Sequence, residues 1–268
     1  MRRLSPGAAL EAGWLVLALL VPITFQRWSY DAFELPKQYV TLVVTQVALL
    51  AALTLWLADR PWRGWQGVRA FASWVGARPG LIVGLAIGLA WLLAAAASTI
   101  PEQSWWGLPP RWAGARVQLA YAALYVAASC LLRTPAQLMR LSVVSAVAGA
   151  GAAVYAIAQR FGRDPFEWGG YLGASIAADL SRRPPGTFGN PNFLGGYLAL
   201  SLFLTAGALL ATRRRWAQAA LGVSLATEAA ALAFTQTRGA WLGTLFGAVV
   251  FATLLAALTG RPWRRWLL

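Results

Sequence analysis

Histidine is absent from this 268-residue chain, and cysteine occurs once, as Cys130, so no disulfide can close within it. Without histidine, zinc, haem and the imidazole proton shuttles lose their commonest side chain, and no metal or cofactor is expected. Charge is scarce too. Asp and Glu number 9 against 23 Lys and Arg, only 12% of residues are charged and 59% are hydrophobic. A soluble domain typically has about a quarter of its residues charged, so this composition excludes an ordinary soluble fold. The net charge of +14 does not indicate nucleic acid, because the arginines flank apolar runs instead of forming a basic stripe. Cys130 sits inside such a run and reads as a small packed hydrophobe.

What is present is a series of apolar runs long enough to cross a hydrocarbon layer of roughly 30 Å. Eight spans are expected at about Ala8–Thr24, Gln38–Ala58, Leu81–Ala97, Val117–Leu132, Leu138–Gln159, Asn192–Ala211, Ala217–Thr235 and Gly239–Leu258. They predict an all-α, polytopic transmembrane bundle forming one domain over 1–268. Met1-Arg2-Arg3 precedes the first run with no small-x-small cleavage site after it, so that run reads as an uncleaved span. Eight crossings place both termini on one side. A cytoplasmic N-terminus puts most of the arginines inside, as the positive-inside rule requires.

Residues 61–79 mix Trp62, Trp65, Phe71 and Trp74 with arginines and are expected to lie as an amphipathic segment on the inner surface. Arg60-Pro61-Trp62-Arg63 recurs as Arg261-Pro262-Trp263-Arg264, each copy following an even-numbered span. Aromatic rings and cations at a headgroup layer anchor helix ends, and anchoring is the reading of both.

The most informative stretch runs from Arg183 to Leu194, Arg-Pro-Pro-Gly-Thr-Phe-Gly-Asn-Pro-Asn-Phe-Leu, a stiff polar hinge directly before an apolar run. Asn190 suits an N-cap, Pro191 suits the first helical position, and a helix starting there presents its positive dipole end beside Arg182 and Arg183. Such an end favours an anion, phosphate above all. Three other polar features fall on the same expected outer side. Trp105-Trp106 with Arg111 and Trp112 offers an aromatic platform that could stack on a sugar ring or simply belong to the interfacial belt. Phe161 to Trp168 contains Asp164 and Glu167 and reads otherwise as a capped turn. Thr235 to Trp241 is too short for a free loop and fixes Arg238 near helix ends, where a guanidinium can grip two phosphate oxygens or merely snorkel. Glu228 lies inside the seventh span, where a carboxylate is neutral, paired with an arginine of another helix, or polar glue. Arg111, Arg183 and Arg238 come from three junctions and are expected to converge on an anionic substrate.

In order and spacing, these motifs resemble the O-antigen ligase and polymerase family of bacterial membrane enzymes. The resemblance covers about 100 to 245 and rests on Trp106-Gly107 with Arg111 and Gly114, Gly162-Arg163-Asp164-Pro165 with Trp168, Arg183 with Gly186 to Leu194, and Thr237-Arg238-Gly239-Ala240-Trp241-Leu242-Gly243. It implies a bundle similar to the polytopic, GT-C-like glycosyltransferase fold in the cytoplasmic membrane. The implied reaction is metal-independent transfer of a glycan from an undecaprenyl-diphosphate carrier to a lipid or glycan acceptor at the outer face, as in lipopolysaccharide synthesis. It assigns diphosphate binding to Arg183 and Arg238, with Arg111 beside them and Asn190 shaping the helix mouth. Family members usually continue into further spans and an outer loop with a catalytic histidine. This chain is therefore expected to be the front portion of a longer enzyme; alone, it would need Glu228, Asp164 or Glu167 as the base. Two other classes remain open: a transporter or flippase of an anionic lipid-linked substrate with Glu228 as proton relay, and a non-catalytic scaffold for glycan assembly.

Overall fold

The computed structural model describes residues 5–29, 31–59, 78–109, 111–166 and 180–259. Outside them lie all but the last two residues of the expected surface segment 61–79, both copies of the Arg-Pro-Trp-Arg repeat, and Glu167 and Trp168. The described residues form nine α-helices and one 3₁₀ turn, with no strand among them: α1 Pro6–Ile23, α2 Glu34–Asp59, α3 Pro79–Ala96, α4 Pro101–Trp106, α5 Ala115–Leu131, α6 Pro135–Arg160, the 3₁₀ turn Gly186–Phe188, α7 Pro191–Ala211, α8 Arg215–Phe234 and α9 Arg238–Thr259. Seven of these helices are long and apolar enough to cross a membrane. The chain is thus a helical, multi-pass membrane protein.

Proline opens α1, α3, α4, α6 and α7, where its missing N–H costs no helical bond and its fixed φ suits the first turn. Side chains supply the donors' partners. At α6, Thr134 Oγ1 accepts from the Gln137 amide at 3.2 Å while Gln137 Oε1 accepts from the Thr134 amide at 3.1 Å, a reciprocal capping box. At α2, Asp31 Oδ1 accepts from the amides of Phe33 and Glu34 at 2.8 and 2.9 Å.

The fourth expected span, Val117–Leu132, is the 17-residue helix α5, one residue shorter than the shortest of the seven long helices. At about 1.5 Å per residue it reaches roughly 26 Å. The expected loop carrying Trp105 and Trp106 is in part the helix α4, because Pro101 and Glu102 make a favourable first turn.

The chain divides into two compact units, one of Met1–Val21 with Trp28–Leu138 and one of Pro22–Arg27 with Met139–Leu268. In the first, α5 packs against both α2 and α3. Leu42, Val117 and Ala120 join α2 to α5, while Gly84 of α3 lets Val126 and Tyr125 of α5 approach closely. Cys130 is buried, as expected of a packed hydrophobe. Glu11 accepts a hydrogen bond from Gln137 Nε2 at 3.2 Å. In the second unit, Ala152, Ala153 and Ala156 of α6, Leu194, Leu198 and Leu202 of α7, and Ala231 and Leu232 of α8 make one core. α9 lies on α7, where a Cβ on Gly195 would sit 3.1 Å from the Ala240 Cβ.

Candidate functional site

The Arg183–Leu194 hinge is built as its residues dictate. Pro184, Pro185, Gly186 and Thr187 are all buried. Gly186 at φ 56° and Gly189 at φ 69° occupy the left-handed region that side chains resist, and together they turn the chain through the 3₁₀ turn into α7. Asn190 is the N-cap: with φ −146° and ψ 124° it accepts the Asn192 amide on its side-chain oxygen at 2.8 Å, and Pro191 follows at the first helical position. Asn190→Ala is expected to lower thermal stability by about 1 kcal/mol, with Asn190→Ser largely sparing it, measured by unfolding in detergent.

Hydrogen bonds then gather three junctions at one end of this unit. Arg183 Nε donates to the Thr235 carbonyl at 3.1 Å and its Nη2 to Asn192 Oδ1 at 3.3 Å. Thr237 Oγ1 reaches the Pro191 carbonyl at 3.2 Å and Asn192 Oδ1 at 3.3 Å. The start of α7, the end of α8 and the start of α9 are therefore neighbours. Gln236, at φ 52°, makes the left-handed step that lets α9 begin two residues later. Arg238 is the first residue of α9 and is exposed. The tight turn thus brings the Arg183 guanidinium and the backbone of Arg238 to the starts of α7 and α9, an arrangement suited to an anion. A guanidinium has five N–H donors, so the two Arg183 bonds leave others to spare.

The hinge is braced from α6. Buried Gln159 accepts the Gly186 amide on Oε1 at 2.9 Å and donates from Nε2 to Asp164 Oδ2 at 2.8 Å. Asp164 also accepts from Tyr155 Oη at 3.0 Å and from the Phe166 amide at 3.0 Å. Asp164 thus sits in a capped turn, the plainer of its two sequence readings. Phe25 stacks on Tyr155 at 5.5 Å and meets Phe166 edge-on at 5.2 Å, closing the aromatic side of that brace.

Arg111 belongs to the first unit, whereas Arg183, Asn190, Glu228 and Arg238 belong to the second. Arg111 is exposed, and its carbonyl accepts a hydrogen bond from Gln38 Nε2. The arginine on the aromatic platform is Arg116, whose guanidinium stands 4.5 Å from the centre of the Trp106 ring and 5.7 Å from that of Tyr39. The platform's Trp106 is therefore engaged by a cation from its own unit.

Glu228 is fully buried, at 0% exposure. Its Oε1 accepts from Thr205 Oγ1 and Ser224 Oγ, both at 3.0 Å. Among the described residues its hydrogen-bond partners are hydroxyls and no cation pairs with it, so the alternative of an arginine partner drops out. Ser224 Oγ also stands 3.0 Å from the Ala146 carbonyl, with one hydrogen to share between the two acceptors, and Ser201 donates to the Ser145 carbonyl at 3.2 Å. Hydroxyls of α7 and α8 thus tie both helices to α6, and Gly149 provides the room: a Cβ there would lie 2.8 Å from Glu228 Oε1 and closer still to Ser201 Oγ. The sequence reading missed Ser201, Thr205 and Ser224. Their signal was spacing, since Ser201/Thr205 and Ser224/Glu228 are each four apart and share a helix face. Among the described residues, no group of three or more His, Cys, Asp or Glu could hold a metal ion. Comparison with protein-family models, with curated proteins and with solved structures found no match.

Proposed function

We propose that this chain is, or forms part of, a glycosyltransferase of the ligase or polymerase type. It takes a glycan from an undecaprenyl-diphosphate carrier at the outer face of a bacterial cytoplasmic membrane and passes it to a lipid or glycan acceptor. The observation carrying this reading is the second unit's mouth, where Arg183 is laced to Thr235 and Asn192 while Arg238 opens α9 in the open beside it. In the transfer, the bond between the sugar's anomeric carbon and the diphosphate oxygen breaks as the acceptor hydroxyl oxygen bonds to that carbon, and the acceptor's proton passes to the departing diphosphate. The departing diphosphate gathers negative charge, and guanidiniums held in place before the reaction stabilise it without reorganising. Arg183 serves as the fixed donor and Arg238 as the free one, with the helix N-termini adding their dipoles. The hydrogen bonds of Glu228 run to Thr205 and Ser224 and not to the residues of the mouth, so it takes no part in this step.

The test is glycan transfer by the full chain in vesicles supplied with diphosphate-linked glycan and acceptor. Arg183→Lys keeps the charge but loses the fork that engages Thr235 and Asn192 together. A fall of about tenfold in transfer, equivalent to about 1.4 kcal/mol, is expected. Transfer at the wild-type rate would contradict the assignment.

A further inference from the structure

We propose that Glu228, with Ser201, Thr205, Ser224 and Tyr197, forms a buried binding site for one monovalent cation, a proton or Na⁺. The proposal is independent of the mouth's function. Glu228 is fully buried in a helix apolar enough to cross a membrane, and its Oε1 is satisfied by the hydroxyls of Thr205 and Ser224. Oε2 is buried and has no hydrogen-bond partner among the described residues. Tyr197 Oη is in the same condition. Tyr197 lies four residues before Ser201 and eight before Thr205, so all three share the α7 face that meets Glu228.

A carboxylate left charged and half-satisfied in hydrocarbon is too costly to persist, so it must bind a positive charge. The groups that reach the cluster in its hydrogen bonds are oxygens, hard ligands for a cation. Ser201 gives its hydrogen to the Ser145 carbonyl and Thr205 gives its own to Glu228, which leaves oxygen lone pairs to accept or ligate. One carboxylate among neutral oxygens matches a single positive charge. A divalent ion would leave one uncompensated charge in the membrane interior. The other titratable groups on the helices packed here stand away from the site. At about 1.5 Å per residue, Tyr155 is about 9 Å along α6 from Gly149, Arg140 about 14 Å, Arg160 about 17 Å, and Arg215 about 20 Å along α8 from Glu228. Tyr155 is engaged with Asp164. Among the described residues, Tyr197 is the other titratable side chain on this face of α7.

The experiment follows thermal unfolding of the purified full chain in detergent, first in NaCl against choline chloride at fixed pH, then across pH in sodium-free buffer. Infrared difference spectra are recorded alongside for a protonated carboxyl band. For Na⁺, the wild-type midpoint should climb steadily with each tenfold rise in NaCl and not with choline chloride. For a proton, the midpoint should depend on pH without sodium, and a protonated carboxyl band should be present that Glu228→Gln lacks. In either case Glu228→Gln should lose the dependence that the wild type shows. If Glu228→Gln does not fold, Ser201→Ala keeps the carboxylate and should bind the cation about tenfold more weakly. Identical responses of wild type and Glu228→Gln to both Na⁺ and pH, without a band assignable to Glu228, would overturn the proposal. An unchanged affinity in Ser201→Ala would do the same.

Discussion

Gly149→Leu is expected to unfold or severely loosen the second unit. The first added atom, Cβ, would stand 2.8 Å from Glu228 Oε1 and 2.9 Å from its Cδ, and nearer still to Ser201 Oγ. Neither neighbour can yield freely. Ser201 is bound to the Ser145 carbonyl, and the carboxyl holds two hydroxyls, so retreat would strand buried polar groups. Overpacking alone costs about 1–3 kcal/mol, and the broken bonds add to it, so a loss of at least about 3 kcal/mol is expected. Gly207→Ala is the matched control, because a Cβ there meets nothing within 4 Å and gains about 1 kcal/mol of helix propensity. Thermal unfolding in detergent reads both. A Gly149→Leu midpoint equal to that of Gly207→Ala would show that the glycine does not make room for the carboxyl.

Arg238→Ala is expected to lower glycan transfer by about a hundredfold, the effect of removing one charged donor from a developing anion. It should leave unfolding unchanged, because the Arg238 side chain is exposed. That separation distinguishes it from Arg183, whose side chain also ties the hinge to Thr235 and Asn192. In a cell that depends on this chain, normal surface glycan with Arg238→Ala would sink the proposed function. A defect in carrier flipping with transfer intact would point to transport instead.

Much of the second unit was legible before its coordinates. Asn190-Pro191 carries its own start signal, and the apolar runs on either side of Thr235–Arg238 leave too few residues for anything but a tight turn, so the junctions followed from local chemistry. The partner of Glu228 was not legible in this way. Which hydroxyl faces a carboxylate depends on the rotation of α6 and α7 about their axes, and nearly uniform apolar surfaces leave that rotation to close packing at residues such as Gly149. The sequence reading set Arg111 beside the tryptophans and gave Arg116 no role there. Gly107, at φ 87°, folds the chain back so that Arg116, on the first turn of α5, meets the ring of Trp106. The helix α4 was hidden for a related reason: six residues with two tryptophans have no apolar run to announce them.

The most direct test of the mouth is equilibrium binding of undecaprenyl diphosphate and undecaprenyl monophosphate to the wild-type chain and to Arg238→Ala in vesicles. The account predicts that the wild type prefers the diphosphate and that Arg238→Ala loses that preference while binding the monophosphate much as before. Equal binding of the two carriers by the wild type, or a diphosphate preference that survives in Arg238→Ala, would contradict it.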